Sequence, residues 1–179
     1  MKIFVIGGKA SSGKTTFGEY LREELKDYSY KPCVMHITEP LYSYARNYFE
    51  YDEQTDKKPR EFLQKMGTEI IKEKLNKKYF LLDRLSEDIE ILSNFFDTFI
   101  ITDARLISEF EEFKKTYPNV VSIKLEREHY DDNLSFEERE HITETEIDTY
   151  NAFDYVIENK GILTLKEKAE EIIKIEETK

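Results

Sequence analysis

The sequence predicts a doubly wound α/β fold, in which a five-stranded parallel sheet is flanked by helices, and three observations predict it. Five short apolar runs alternate with stretches of helical periodicity, the pattern of a parallel sheet with crossover helices. The first run stops at Gly7-Gly8 and gives way within a few residues to an amphipathic segment. Gly8, Asp103 and Arg127 each fall just beyond the end of a run, at the carboxyl edge where such sheets hold ligands.

Lys2 to Ile6 is β-branched and aromatic and reads as a buried strand. From Lys14 to Lys26 the apolar residues Phe17, Leu21 and Leu25 recur four apart, so a helix starts where the glycine loop ends. Pro32 precedes a second strand, Cys33 to Ile37, which completes a βαβ unit of right-handed crossover. From Glu39 to Asn94 the pattern is helical. One face carries Phe62, Leu63, Met66, Ile70 and Ile71, another Tyr79, Leu82, Leu85, Ile89 and Leu92, and the polar loop from Asp52 to Pro59 interrupts them. Thr98 to Thr102 is a third strand, followed by Asp103-Ala104-Arg105 and a helix carrying Phe110 and Phe113. Val120 to Leu125 is the fourth strand, Glu126 to Thr145 a charged segment, Phe153 to Ile157 the fifth strand and Leu163 to Ile175 a closing helix with a solvated charged face.

With 179 residues, 39% hydrophobic and 36% charged, the chain is sized for one domain spanning 1–179. A formal charge of -11 argues against nucleic acid or an anionic membrane as partner. It is compatible with a nucleotide ligand, because charges more than about 8 Å apart are largely screened at physiological salt and a local cluster decides phosphate binding. The single cysteine, Cys33, excludes an internal disulfide and is expected to be buried in its strand. The apolar run from Ile3 to Ile6 is too short for a secretory signal, and no stretch reaches membrane-spanning length, so the expectation is a cytoplasmic protein, monomeric or homodimeric.

Gly8-Lys9-Ala10-Ser11-Ser12-Gly13-Lys14-Thr15 is a complete P-loop. Glycines are needed where the backbone turns its N–H groups toward phosphate oxygens, and the helix that follows adds its positive end. Gly8 and Gly13 meet that need, with Ala10, Ser11, Ser12 and Thr16 completing the cradle. Lys14 can reach the β- and γ-phosphates and the Thr15 hydroxyl can coordinate Mg²⁺, so ATP with Mg²⁺ is the expected cofactor. Asp103, at a strand end, is placed either to orient Mg²⁺ or an arginine, or to cap the next helix. Arg105 offers a planar fork to a phosphate or pairs with Glu109. The segment around Arg127 and Arg139 is where a lid would lie, at about 127–145. His36 with Glu39, and His141 with Glu144, have no third ligand nearby and are read as structural.

At these residues the sequence resembles the phage and bacterial deoxynucleoside monophosphate kinases. The P-loop, His36 to Leu41, Leu63 to Glu69, Ile101 to Arg105 with Glu109, and His141 to Glu144 followed by Phe153 to Asn159 carry the resemblance, in order, over nearly the whole chain. It implies a P-loop NTPase fold with a helical acceptor-binding insertion at about 39–94. It also implies transfer of the ATP γ-phosphoryl group to a nucleoside 5′-monophosphate. By the same resemblance Glu39, Arg60, Gln64 and Glu69 line the acceptor site, with Arg60 on its phosphate. Asp103 and Arg105 organise the reacting phosphates, Arg127 and Arg139 close over them, and Asn159 lies near the adenine. The sequence departs from the family at Ile70-Ile71-Lys72, where an arginine and then a tryptophan are usual, and at Leu106-Ile107-Ser108. A kinase of another phosphomonoester, of the phosphomevalonate or dephospho-coenzyme A type, shares this fold, and a non-catalytic ATP-binding switch is the reading from a different class. Arginines after both the third and fourth strands favour a kinase.

Overall fold

The structure is a computed structural model and describes residues 1–128 and 141–179. Arg139 and most of the expected lid therefore lie outside the described residues.

Two compact units make up the chain, one of residues 1–35 and 92–179 and one of residues 36–91. The first holds a five-stranded parallel sheet in the order β2-β3-β1-β4-β5. Its strands are β1 (Lys2–Gly7), β2 (Pro32–Met35), β3 (Thr98–Ala104), β4 (Val120–Glu126) and β5 (Tyr155–Glu158). β1 is central, and Ile3 to Ile6 are fully buried. This is why its sequence is a continuous apolar run rather than an alternation: both faces of a parallel strand are covered. On one side α1 (Lys14–Asp27) packs with the chain's last helix, Ile162–Glu177, and Phe4, Phe17, Leu21, Ile123, Leu165 and Ile172 share one core. Each such side chain contributes about 1.5–3 kcal/mol by leaving water.

Differences from the sequence reading lie at element ends and have local causes. β2 begins at Pro32 and stops at Met35. Among the described residues it pairs only with β3, and such an edge strand tolerates a residue without an N–H. His36 leaves the strand because its carbonyl closes a turn with the Glu39 N–H, after which Pro40 starts α2 (Glu39–Tyr48). Cys33, expected to be buried, is half-buried, and burial still pushes its thiol upward. β5 starts two residues later than expected, since Phe153 packs edge-on against Phe110 at 5.0 Å. Asp154 beside it accepts the Ser122 N–H and hydroxyl at 2.8 and 2.6 Å.

In the second unit α3 (Arg60–Gln64) continues into a π-helix, Lys65–Lys74, before α4 (Phe80–Leu92). The sequence period suggested an ordinary α-helix there. The wider winding is closed by an i to i+5 hydrogen bond from the Leu75 N–H to the Ile70 carbonyl, and it buries Gly67 and Ile71. Gly67 lies close to Leu41 of α2, and Phe49 packs on Phe62 at 4.9 Å.

The sheet unit is closed at its base by Glu176, whose side chain is 6% exposed. It accepts hydrogen bonds from Tyr155 at 2.7 Å and Lys179 at 2.5 Å, with Lys2 at 3.4 Å. Burial alone would raise this carboxyl, but the Lys179 and Tyr155 hydrogen bonds and the Lys2 charge hold it below the ordinary carboxylate range. A depressed folded value means that this stabilisation is complete above the unfolded pKa of about 4.3 and is lost as pH falls through the folded value. Thermal melts from pH 7 down to pH 3 are therefore expected to show a shallower acid-side decline in Glu176→Gln than in the parent. Identical slopes would remove Glu176 from the acid response.

Candidate functional site

The loop between β1 and α1 has the backbone its sequence demands. Gly8 and Gly13 have φ values of +148° and +102°, and Ser11, with a side chain, is held at +57°, a conformation that costs a non-glycine residue about 1–2 kcal/mol. These left-handed residues wind the chain around a small concavity. No side chain larger than hydrogen fits at Gly13, where a Cβ would stand 2.6 Å from Asn159 Nδ2. The Lys14 ammonium, in a residue only 8% exposed, donates to the carbonyls of Gly8 and Lys9 at 2.7 Å each.

Two of the helices that begin at the carboxyl edge of the sheet, α1 and the one after β3, differ in charge. α1 has glycine at its N-cap, no side-chain cap and no acidic residue in its first turn, so its positive end is presented to whatever enters the loop. At α5 (Ile107–Thr116) two carboxylates take up the donors. Glu109 accepts the Arg105 and Leu106 N–H groups at 2.8 and 3.0 Å, and Glu146 accepts that of Ile107 at 3.1 Å. The last helix, which begins after Gly161, likewise has no side-chain cap and no acid in its first turn, so it is the left-handed loop and Lys14 that mark the start of α1 as the anion site.

Asp103 lies within β3 rather than beyond it and is half-buried. Between Val5 and Gly7 of β1 the partner strand advances from Ile101 to Ala104, one residue more, and this irregularity falls at Thr102-Asp103. Such an extra residue re-aims side chains beside a site. Glu109 fixes the chain just after it, at Arg105. Arg127, the first arginine after β4, reaches the Ser11 carbonyl at 3.4 Å, so it lies over the loop. Thr15 and Thr16 are exposed on the first turn of α1, Ala10 is buried, and the buried Ser12 hydroxyl has no hydrogen-bond partner among the described residues.

Asn159 follows β5 and is 8% exposed. Its Nδ2 donates to the Ser12 carbonyl at 2.8 Å and its Oδ1 accepts the Gly161 N–H at 2.9 Å.

Sequence reasoning missed a charged network beside the loop. Lys9 pairs with Asp148 at 2.6 Å, and Lys124, whose side chain is 9% exposed, pairs with Glu126 at 2.7 Å and Asp148 at 3.5 Å. Together with Ser12 and Arg127 these residues line a cavity of about 220 Å³. A lysine inside the largely apolar fourth strand was the available signal; Asp148, one of several acids spaced among Thr and Ile residues, gave none.

In the second unit, Arg60 and Gln64 are half-buried on α3, one α-helical turn apart, and Glu69 is exposed on the π-helix. Exposed Glu39, at the start of α2, is bonded to Arg46, which also bridges to Glu53. The sequence reading passed over Arg46. Among the described residues no group of three or more His, Cys, Asp or Glu side chains is arranged to hold a metal ion, and no helix is long and apolar enough to cross a membrane.

The profile of the deoxynucleotide monophosphate kinase family matches residues 50–169 of this sequence. No curated protein matches it. Among solved structures, a mutant APS kinase from Mycobacterium tuberculosis is similar with a TM-score of 0.57 at 11% identity, over 98% of this chain and 96% of its own. The same enzyme in complex with AMPPNP and APS gives 0.54 at 12% identity, over 98% and 97%. A sugar kinase from Janibacter sp. gives 0.56 at 13% identity, over 98% and 95%. At such identities the likeness establishes the fold, a parallel sheet flanked by helices as in P-loop kinases.

Proposed function

The chain belongs to the deoxynucleotide monophosphate kinase family, and on that premise we propose that it transfers the γ-phosphoryl group of ATP to a nucleoside or deoxynucleoside 5′-monophosphate. The observation that carries this reading is the start of α1. Its helix end has no side-chain cap and no acid, it is wrapped by a loop with three left-handed residues, and it has a lysine folded onto the loop. A phosphate tail is the ligand that such an end attracts.

In the proposed reaction an oxygen of the acceptor's 5′-phosphate attacks the γ-phosphorus while the bond from phosphorus to the β,γ-bridging oxygen breaks. ADP leaves and a nucleoside diphosphate forms. Catalysis of this kind is chiefly positioning and charge neutralisation. Lys14, Arg105, Arg127 and Arg139 supply the positive charge, and Gly8, Ala10, Ser11, Ser12, Gly13, Thr15 and Thr16 form the donor cradle. The Thr15 hydroxyl and Asp103 carboxylate are hard oxygen donors that suit Mg²⁺. They would hold it, and it would offset charge on the transferring group. Glu39, Arg60, Gln64 and Glu69 serve the acceptor, with Arg60 on its phosphate. A single kinase domain comprising both units, with residues 39–94 as the acceptor-binding insertion and 127–145 as the lid, is part of this reading.

ADP release with MgATP and a panel of ribo- and deoxynucleoside monophosphates tests it. Turnover is expected with at least one member. Silence across the panel, or turnover only with phosphomevalonate or dephospho-coenzyme A, would overturn the acceptor assignment. Arg105→Ala is expected to lower kcat by about 10²–10³ while leaving the Kd for ATP unchanged. An equal loss of ATP affinity would move Arg105 to the donor side.

A further inference from the structure

The Asn159 side chain ties the loop after β5 to the main chain of the P-loop, and its surroundings decide what its amide can do. Both ends of the amide are engaged. Nδ2 must face the Ser12 carbonyl and Oδ1 the Gly161 N–H, since the reverse orientation would oppose two acceptors and two donors. The Asn159 N–H donates in turn to the Glu126 carbonyl at 2.7 Å. The residue is thus held by β4, by its own loop and by the start of the last helix, with 8% of its surface exposed.

The peptide joining Ser12 to Gly13 is a rigid plane in which the carbonyl oxygen and the N–H point in opposite directions. Fixing the Ser12 oxygen on Asn159 therefore fixes the direction of the Gly13 N–H at the mouth of α1. Gly13 must have its φ of +102° for the plane to sit this way, and Asn159 fills the space a Cβ would need.

We infer that Asn159 is a positioning residue for the phosphate site: it aims the Gly13 N–H at the bound phosphates and does not read the base of the nucleotide. The inference rests on the kinase reading only in taking a nucleoside triphosphate as the natural ligand.

The test uses a ligand without a base. Binding of MgATP and of magnesium tripolyphosphate is measured by calorimetry for the full chain and for Asn159→Asp, which keeps the shape but sets a carboxylate oxygen against the Ser12 carbonyl. Both affinities are expected to fall by about tenfold, or about 1.4 kcal/mol, with their ratio unchanged. Weaker ATP binding with intact tripolyphosphate binding would overturn the inference in favour of a base contact. No change in either would also overturn it. Should the aspartate variant fail to fold, Asn159→Ser removes the donor without adding charge and is read in the same way; failure of both to fold would assign Asn159 to stability alone. Parent protein that binds neither ligand would sink the phosphate site itself. Parent protein that binds both but phosphorylates no nucleotide would sink only the acceptor assignment.

Discussion

Lys14→Ala is expected to lower kcat/KM for ATP by about 10²–10³, the usual consequence of removing one preorganised group that faces developing charge. The residue is 8% exposed and its ammonium is held by the Gly8 and Lys9 carbonyls, so the charge is largely desolvated and aimed before any nucleotide arrives. A charge of this kind interacts more strongly than one in open water, because the screening around it is weaker. The nearby cations do not replace it. Lys9 and Lys124 are engaged by Asp148 and Glu126, and alanine at position 14 removes the ammonium donor from the Gly8 and Lys9 carbonyls, of which the latter keeps the Ser12 N–H at 3.3 Å. Steady-state ADP release at saturating acceptor checks the prediction; a variant within threefold of the parent would show that the ammonium does not serve the reaction.

The second large effect is on folding as well as binding. Gly13→Ala is expected to destabilise the protein by about 2–5 kcal/mol, from a left-handed backbone imposed on alanine and from overpacking against neighbours that cannot withdraw. The added methyl would stand 2.6 Å from Asn159 Nδ2 and 3.3 Å from Leu165 Cδ1. The amide is committed to Ser12, and Leu165 belongs to the core beneath the last helix. Urea unfolding should show a lower midpoint at unchanged slope, and residual folded protein should have lost measurable MgATP affinity. A variant of parental stability would mean that the loop relaxes freely around the methyl.

Much of the sheet unit was legible because its physics is local. Continuous apolar runs mark strands covered on both faces, and all five strands lie where such runs occur, with ends displaced by one or two residues. Those displacements come from what a run cannot express: an edge place that admits Pro32, a turn closed by His36, and an aromatic cluster that claims Phe153. The P-loop was legible as chemistry, since glycine spacing and a lysine state the requirement directly. Illegible were interactions joining distant residues. Nothing around Asp148 or Glu146 marks them as partners of Lys9 or of the first turn of α5. The π-helix escaped for a different reason, because the apolar spacing over Lys65–Lys74 also suits an α-helix and only the Leu75 to Ile70 bond reveals the wider winding.

The place of β1 in the middle of the sheet governs when the P-loop can exist. The strand lies at the start of the chain, yet its two neighbours are β3 and β4, and the amide that braces Ser12 comes from residue 159. Contacts so distant along the chain form slowly and late. During synthesis the glycine loop must therefore wait, unshaped, until nearly all of the sheet has emerged, and a nucleotide can be captured only by a chain whose sheet is complete.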